Sequence, residues 1–273
     1  MAEEEPESTV SGEAEIRQVE EREAIGANVV YETIRREGDR ELERSWPTLA
    51  WSGLAAGLSM GFSMLAQALL AVHLPNALWR PLVAGFGYCL GFLIVVLGRQ
   101  QLFTENTLTV ILPLLLRKDR KTLGAVGRVW GIVLGLNLVG TGAFAVIMAR
   151  SGMLGPAMQV EMTRIGMAHL GVGFGTALWR AIFAGWLIAL MVWLLPGAQH
   201  GRVAIIIILT YIIGLGSFNH VIAGSTTVLY LVARGQATWG QYAAAFLAPS
   251  LLGNVIGGVA LVAALGYAQI ESG

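Results

Sequence analysis

PLVAGFGYCLGFLIVVLGRQQLFTENTLTVILPLLL, residues 81–116, is apolar at both ends and polar in its middle. A hydrocarbon core about 30 Å thick takes roughly 20 helical residues to cross, and this stretch runs well beyond that. Its centre gathers Arg99, Gln100, Gln101, Thr104, Glu105 and Asn106. Lipid does not solvate such groups, so they must face protein or a watery cavity. The stretch therefore predicts a transmembrane helix that is broken inside the protein, where transporters and channels tend to place a solute path.

Composition agrees. The 273 residues are 55% hydrophobic and only 13% charged, against about 25% charged in soluble domains. The net charge of zero hides a segregation: 14 of the 18 acidic residues precede Ser45, and only Glu105, Asp119, Glu161 and Glu271 follow. The single cysteine, Cys89, excludes an intramolecular disulfide. No His/Cys cluster has ligand spacing, so no metal or other cofactor is expected. The start, Met-Ala-Glu-Glu-Glu, lacks the basic and apolar regions of a signal peptide. No basic stripe interleaved with aromatics suggests nucleic acid. Neither a catalytic constellation nor a nucleotide-binding motif is present, which argues against an enzyme or an ATP-driven pump.

Two regions follow: residues 1–45 as an acidic cytosolic tail and surface helix, and residues 46–273 as a transmembrane channel domain. Within the first, residues 1–26 predict a mobile tail and 27–44 a helix with Val30 and Ile34 on one face. That helix either caps the membrane domain or binds a partner. Spans are expected at 48–72, 81–116, 129–149, 171–195, 203–233 and 242–268, with a loop at 150–168. Gly53, Gly57 and Gly61 in the first span, Gly131, Gly135 and Gly140 in the third, and Gly253 and Gly257 in the last supply small packing positions. The fifth span is also too long, and Gly214–His220 interrupts it. Three spans per half, with the middle one broken in each, predict an all-α membrane protein built as an inverted repeat. The basic cluster Arg117, Lys118, Arg120, Lys121 and Arg128 favours cytosolic termini.

Three motifs stand in order along this pattern: Gln101-Leu-Phe-Thr-Glu-Asn106, Phe218-Asn219-His220 and Leu252-Gly-Asn-Val-Ile-Gly-Gly258. With Trp130, Gly135, Asn137 and Gly140 in the third span, they resemble the formate/nitrite transporter family, whose first break usually reads Glu-Leu-Phe-Thr, a small residue, then Asn. The acidic extension suggests a divergent subgroup. The resemblance implies an aquaporin-like six-helix protomer in a homopentamer of the inner membrane, with one pore per protomer for a small monovalent anion. It assigns the central proton-handling pair to His220 and Thr104, with Asn219 beside them. Leu102 and Phe103 would shape the constriction, and Phe92 and Ile213 the apolar gates. A small solute and the lipid bilayer are then the partners.

The sequence departs from the family at several positions. The family's anion-attracting lysine aligns with His169 and its later asparagine with Gly185. Gln101 replaces an acid, Glu105 a small residue, and Arg180 an apolar one. His169 and Arg180 would share a face if joined in one helix.

The residues leave alternatives. His220 is a pore group or a satisfied core histidine, and Thr104 a pore hydroxyl, a helix cap, or both. Glu105 pairs with Arg99 or Arg180, the preferred expectation, or stays free and repels anions. Asn137 and Asn254 are expected to bond across helices or to the broken backbone. A channel for a neutral or weakly basic solute, and a non-conducting scaffold or sensor, are the competing functions.

Overall fold

A computed structural model describes residues 12, 25–198 and 200–263. The expected acidic tail up to residue 24, and the end of the last span beyond residue 263, lie outside the described residues. Among those residues every regular element is helical. Helix α1 is Ala27–Glu43, α2 is Trp46–His73, and α3 runs over Arg80–Leu97 with a 3₁₀ turn at Gly85–Tyr88. After a break come α4, Phe103–Thr109, and α5, Ile111–Arg117. Then follow α6, Arg120–Arg150, α7, Pro156–Leu170, and α8, Phe174–Leu194. Arg202–Leu215 forms α9 and Val221–Ala233 forms α10; α11 covers 239–263 and includes two π-helical stretches.

Among the described residues, five helical segments are long and apolar enough to cross a membrane: Trp46–His73, Arg80–Leu97, Arg120–Arg150, Phe174–Gly197 and Trp239–Val259. At 14 and 13 residues, α9 and α10 each reach only about 20 Å, so it takes both to make one crossing. The outer surface carries Trp51, Val139, Trp179 and Ile208 exposed, as suits a chain whose solvent there is lipid.

The two breaks fall where expected, at 98–102 and 216–220, and they match residue for residue. Each first half-helix ends on glycine, Gly98 or Gly216, followed by a left-handed residue, Arg99 (φ 49°) or Ser217 (φ 50°). Gln100 N–H donates to Val95 O, and Phe218 N–H to Ile213 O, at 3.0 Å in both. Leu102 and His220 then take the extended conformation that starts the second half-helix. A left-handed non-glycine residue costs about 1–3 kcal/mol unless its surroundings hold it. Here one asparagine holds each break. Asn137 Oδ1 accepts from Phe103 N–H (2.9 Å), and its Nδ2 donates to Gln101 O (2.9 Å) and to Gly53 O of α2 (2.7 Å). Asn254 Oδ1 accepts from Val221 N–H, and its Nδ2 donates to Asn219 O and to Ala181 O of α8, all at 2.8 Å.

The expected loop at 150–168 is instead α7. Pro156 opens it at the first helical position, where a missing N–H forfeits no helical hydrogen bond. Met158, Glu161, Met162, Ile165, Gly166 and His169 form its buried face, a helical period overlooked beside Glu161 and Arg164. Burial of Glu161 is met by Arg164 (2.5 Å) and by Arg80 (3.4 Å). In the inverted repeat α7 stands to α8 as α1 stands to α2, so each half begins with a capping helix. Helix α1 is tied down by Arg117–Asp39 (2.6 Å) and by Arg128, which donates to Leu42 O and Arg44 O.

Close helix approach is selective. A Cβ on Gly57 would lie 2.3 Å from Asn137 O, and one on Gly257 2.1 Å from Ile182 O. Gly140 packs as expected, but Gly131 and Gly135 face open space and are not packing positions within the protomer.

Two outcomes follow for purified protein in detergent. Asn254→Ala orphans Val221 N–H and two carbonyls, each worth about 1–3 kcal/mol when buried; a clearly lowered thermal midpoint is expected. Gly257→Val should abolish a monodisperse size-exclusion peak, whereas Gly135→Ala should preserve it.

Candidate solute path

Breaking two helices at one depth leaves room for side chains from both halves to meet. His220 Nε2 lies 2.7 Å from Thr104 Oγ1, and both residues are 0% exposed. Ala223 N–H donates to His220 Nδ1 (3.2 Å), so in the neutral ring the proton sits on Nε2 and is donated to Thr104. The Thr104 hydroxyl therefore keeps its own proton for a third group. Thr104 also lies on the first turn of α4 but is not its cap, a position that Leu102 holds. His220 is the cap of α10, so the same ring caps a helix through Nδ1 and meets Thr104 through Nε2.

Phe92 sets its ring edge against His220, with centroids 5.0 Å apart. Along α3, Tyr88, Phe92 and Val96 share a face and are about one turn apart. Tyr88 lines one cavity, Phe92 touches the histidine, and Val96 lines a second cavity. This face thus reaches from one cavity to the other past the Thr104–His220 pair, which lines neither.

The first vestibule, about 70 Å³, lies under α7 and includes His169, Ile213 and Phe218. His169 Nδ1 is 3.1 Å from Asn219 Oδ1, and Asn219 Nδ2 is buried with no partner among the described residues. The second, about 150 Å³, lies under α1 and includes Glu41, Gln100, Gln101, Glu105 and Arg202. Glu41 faces Gln101 across it, the counterpart of His169 facing Asn219. Sequence reasoning missed Glu37, Glu41 and Arg202 as cavity groups: the docking of α1 brings the two glutamates there, and the start of α9 the arginine.

Of the expected site residues, Thr104, His220 and Phe92 are in contact, and Asn219 meets His169. Leu102 and Ile213 are buried in the same apolar cluster as Phe92. Phe103 belongs to that cluster too, and its ring packs edge-on to Trp130 of α6 at 5.7 Å, with its amide clamped by Asn137. Two expectations are corrected. Glu105 forms no ion pair with Arg99 or Arg180: Arg99 bridges to Glu37 (3.5 Å), and Arg180 lies in electrostatic range of His169. His169 and Arg180 do not share a helix, because α7 ends at Leu170 and α8 starts at Phe174. Gly185, the departure from the family's asparagine, backs its Cα onto Asn254, where a Cβ would lie only 2.4 Å from Asn254 O.

This geometry has relatives. The family model described as formate/nitrite transporter matches residues 28–268. The inner membrane protein YfdC of Escherichia coli is 39% identical over 246 residues, 90% of this chain and 79% of that protein. The formate channel BtFdhC of Bacillus thuringiensis is 27% identical, covering 85% of this chain and 91% of its own. Two solved structures share the fold at 18% identity. One, a pentameric formate channel with formate bound, has a TM-score of 0.69 over 88% of this chain and 99% of that chain. The other, an FNT family ion channel, reaches 0.74 over 89% and 98%. Similarity that runs through both halves of the inverted repeat assigns the protein: the chain belongs to the formate/nitrite transporter family and is a transporter or channel, not an enzyme.

Proposed function

We propose that this protein conducts a small monovalent anion of the formate type, together with a proton, past the Thr104–His220 pair. The observation that carries this is the pair itself, sealed at the meeting of two half-helices with the hydroxyl proton of Thr104 unspent. An anion accepts hydrogen bonds and donates none, so it is the complement of Thr104 O–H and of the unpartnered Asn219 Nδ2. The N-terminal end of α10 faces the same point, and its dipole favours negative charge. Apolar Phe92, Leu102 and Ile213 around the pair make the bare charge costly there, which is why a proton would accompany the anion. The formate-binding relatives support the same solute class, the pentameric neighbour a homopentamer, and the inner-membrane relative a cytoplasmic-membrane location. The basic 117–128 segment favours cytosolic termini.

A second solute class, neutral or weakly basic, is favoured by one observation: Glu105 Oε1 and Gln100 Oε1 in the vestibule under α1 have no donor among the described residues.

Uptake of formate, nitrite, acetate, lactate and hydrosulfide into proteoliposomes across pH separates the two. Anion uptake that rises in acid is expected; uptake of urea, ammonia or water with no anion flux would favour the second. Thr104→Val removes a hydrogen bond to a charged group, about 1.5–3 kcal/mol, and should slow anion flux roughly tenfold to hundredfold. His220→Asn retains a capping side chain and should lose flux while keeping the size-exclusion profile of the parent.

A further inference from the structure

We propose that Glu105 is a proton-linked anion site in the vestibule under α1, and that an anion occupies this vestibule only when Glu105 holds a proton. The inference rests on the anion path proposed above. Glu105 sits on the first turn of α4, next to Thr104 in the chain, and lines the cavity of about 150 Å³. Its Oε1 is shielded from solvent and has no hydrogen-bond partner among the described residues.

Among the described residues, the charges around it are paired with one another except for Arg202. From α1 come Glu37, Glu41 and Arg44, from the break Arg99, and from the start of α9 Arg202. Arg99 is paired with Glu37 at 3.5 Å and Arg44 with Glu41 at 2.9 Å. The face supplied by the end of α8, Val192, Leu195 and Pro196, carries no charge. Arg202 acts on Glu105 through space but forms no ion pair with it among the described residues.

An ionised Glu105 therefore leaves this vestibule with unspent acceptors, its own carboxylate and the Gln100 carbonyl. An anion there meets like charge, and the carboxylate already draws on the field of Arg202 that an anion would otherwise use. One proton reverses both conditions, because a protonated carboxyl is a donor and its charge is gone. Binding of proton and anion is then mutually favourable, and the coupling is reciprocal by linkage. Glu41 reports the same environment from outside the membrane span. It is 6% exposed, and burial together with nearby Glu37 pushes its carboxyl up although Arg44 lies beside it. The outer face of α1 behaves oppositely: hydrogen bonds from Arg35 and Arg36 hold Glu32 down at about 2. That carboxylate stays charged through pH 5–8 and contributes no pH dependence there.

The test is formate uptake at equal internal and external pH between 5 and 8, corrected for protein-free liposomes, for the parent, Glu105→Gln and the outer-face control Glu32→Gln. One linked proton changes flux by about tenfold per pH unit. Glu105→Gln should flatten the profile by that amount and exceed the parent at pH 8, while Glu32→Gln keeps the parental slope. If Glu105→Gln does not elute as the parent does, Glu105→Ala should show the same flattening. An unchanged slope in the Glu105 variants overturns the proposal, as does equal flattening in Glu32→Gln. A parent that moves no anion at any pH removes the anion path and this site together.

Discussion

A helix interrupted in hydrocarbon exposes peptide groups that lipid cannot solvate, and the protein meets that constraint twice with one device. Asn137 and Asn254 each accept from the first amide of a second half-helix. Each also donates to the last-but-one carbonyl of the break and to a neighbouring span. The side-chain amide stands in for the peptide group that a continuous helix would have supplied. With the breaks satisfied, Leu102 and His220 are held extended at one depth, and Thr104 reaches Nε2. The glycines Gly57 and Gly257 serve the same end by letting the asparagine-bearing helices approach α2 and α8 backbone to backbone.

The pseudo-symmetry of the backbone is not a symmetry of chemistry. Helices α1 and α7 cover opposite vestibules in matching ways, yet one presents Glu41 to Gln101 and the other His169 to Asn219. At the centre, apolar Leu102 occupies the position matched by His220. From the α1 side to the α7 side the polar groups therefore grade from glutamates and arginines, through the central hydrogen-bonding pair, to a histidine. Such a gradient arises because packing constrains backbone and small residues tightly, while cavity-facing side chains are free to differ between halves.

Much of this was legible beforehand. Excess length with a polar centre marked both broken spans, and equal placement in each half gave the inverted repeat. The motifs also placed Thr104, His220 and Asn219 at the breaks, where the structure sets Thr104 against His220 and Asn219 against His169. Legibility failed where long-range contact decides. Segment 150–168 was taken for a loop because its charges outweighed a helical period in Met158, Met162, Ile165 and His169. Gly131 and Gly135 looked like packing positions, but helical spacing does not say which face is covered. Glu105 was paired with an arginine because an unpaired carboxylate is costly; Glu37 takes Arg99 instead.

By itself the sequence determined that the chain lies in a membrane, where its helices cross, where two of them break, and which polar residues those breaks carry. These depend on local composition and period, which hydrocarbon thickness and peptide solvation translate directly into structure. Only the tertiary structure decided which groups meet: Thr104 with His220, His169 with Asn219, α1 over the cavity that Glu105 lines. The partners are far apart in the chain, and their contact is set by how the two halves pack around the clamped breaks, a relation that no local pattern encodes.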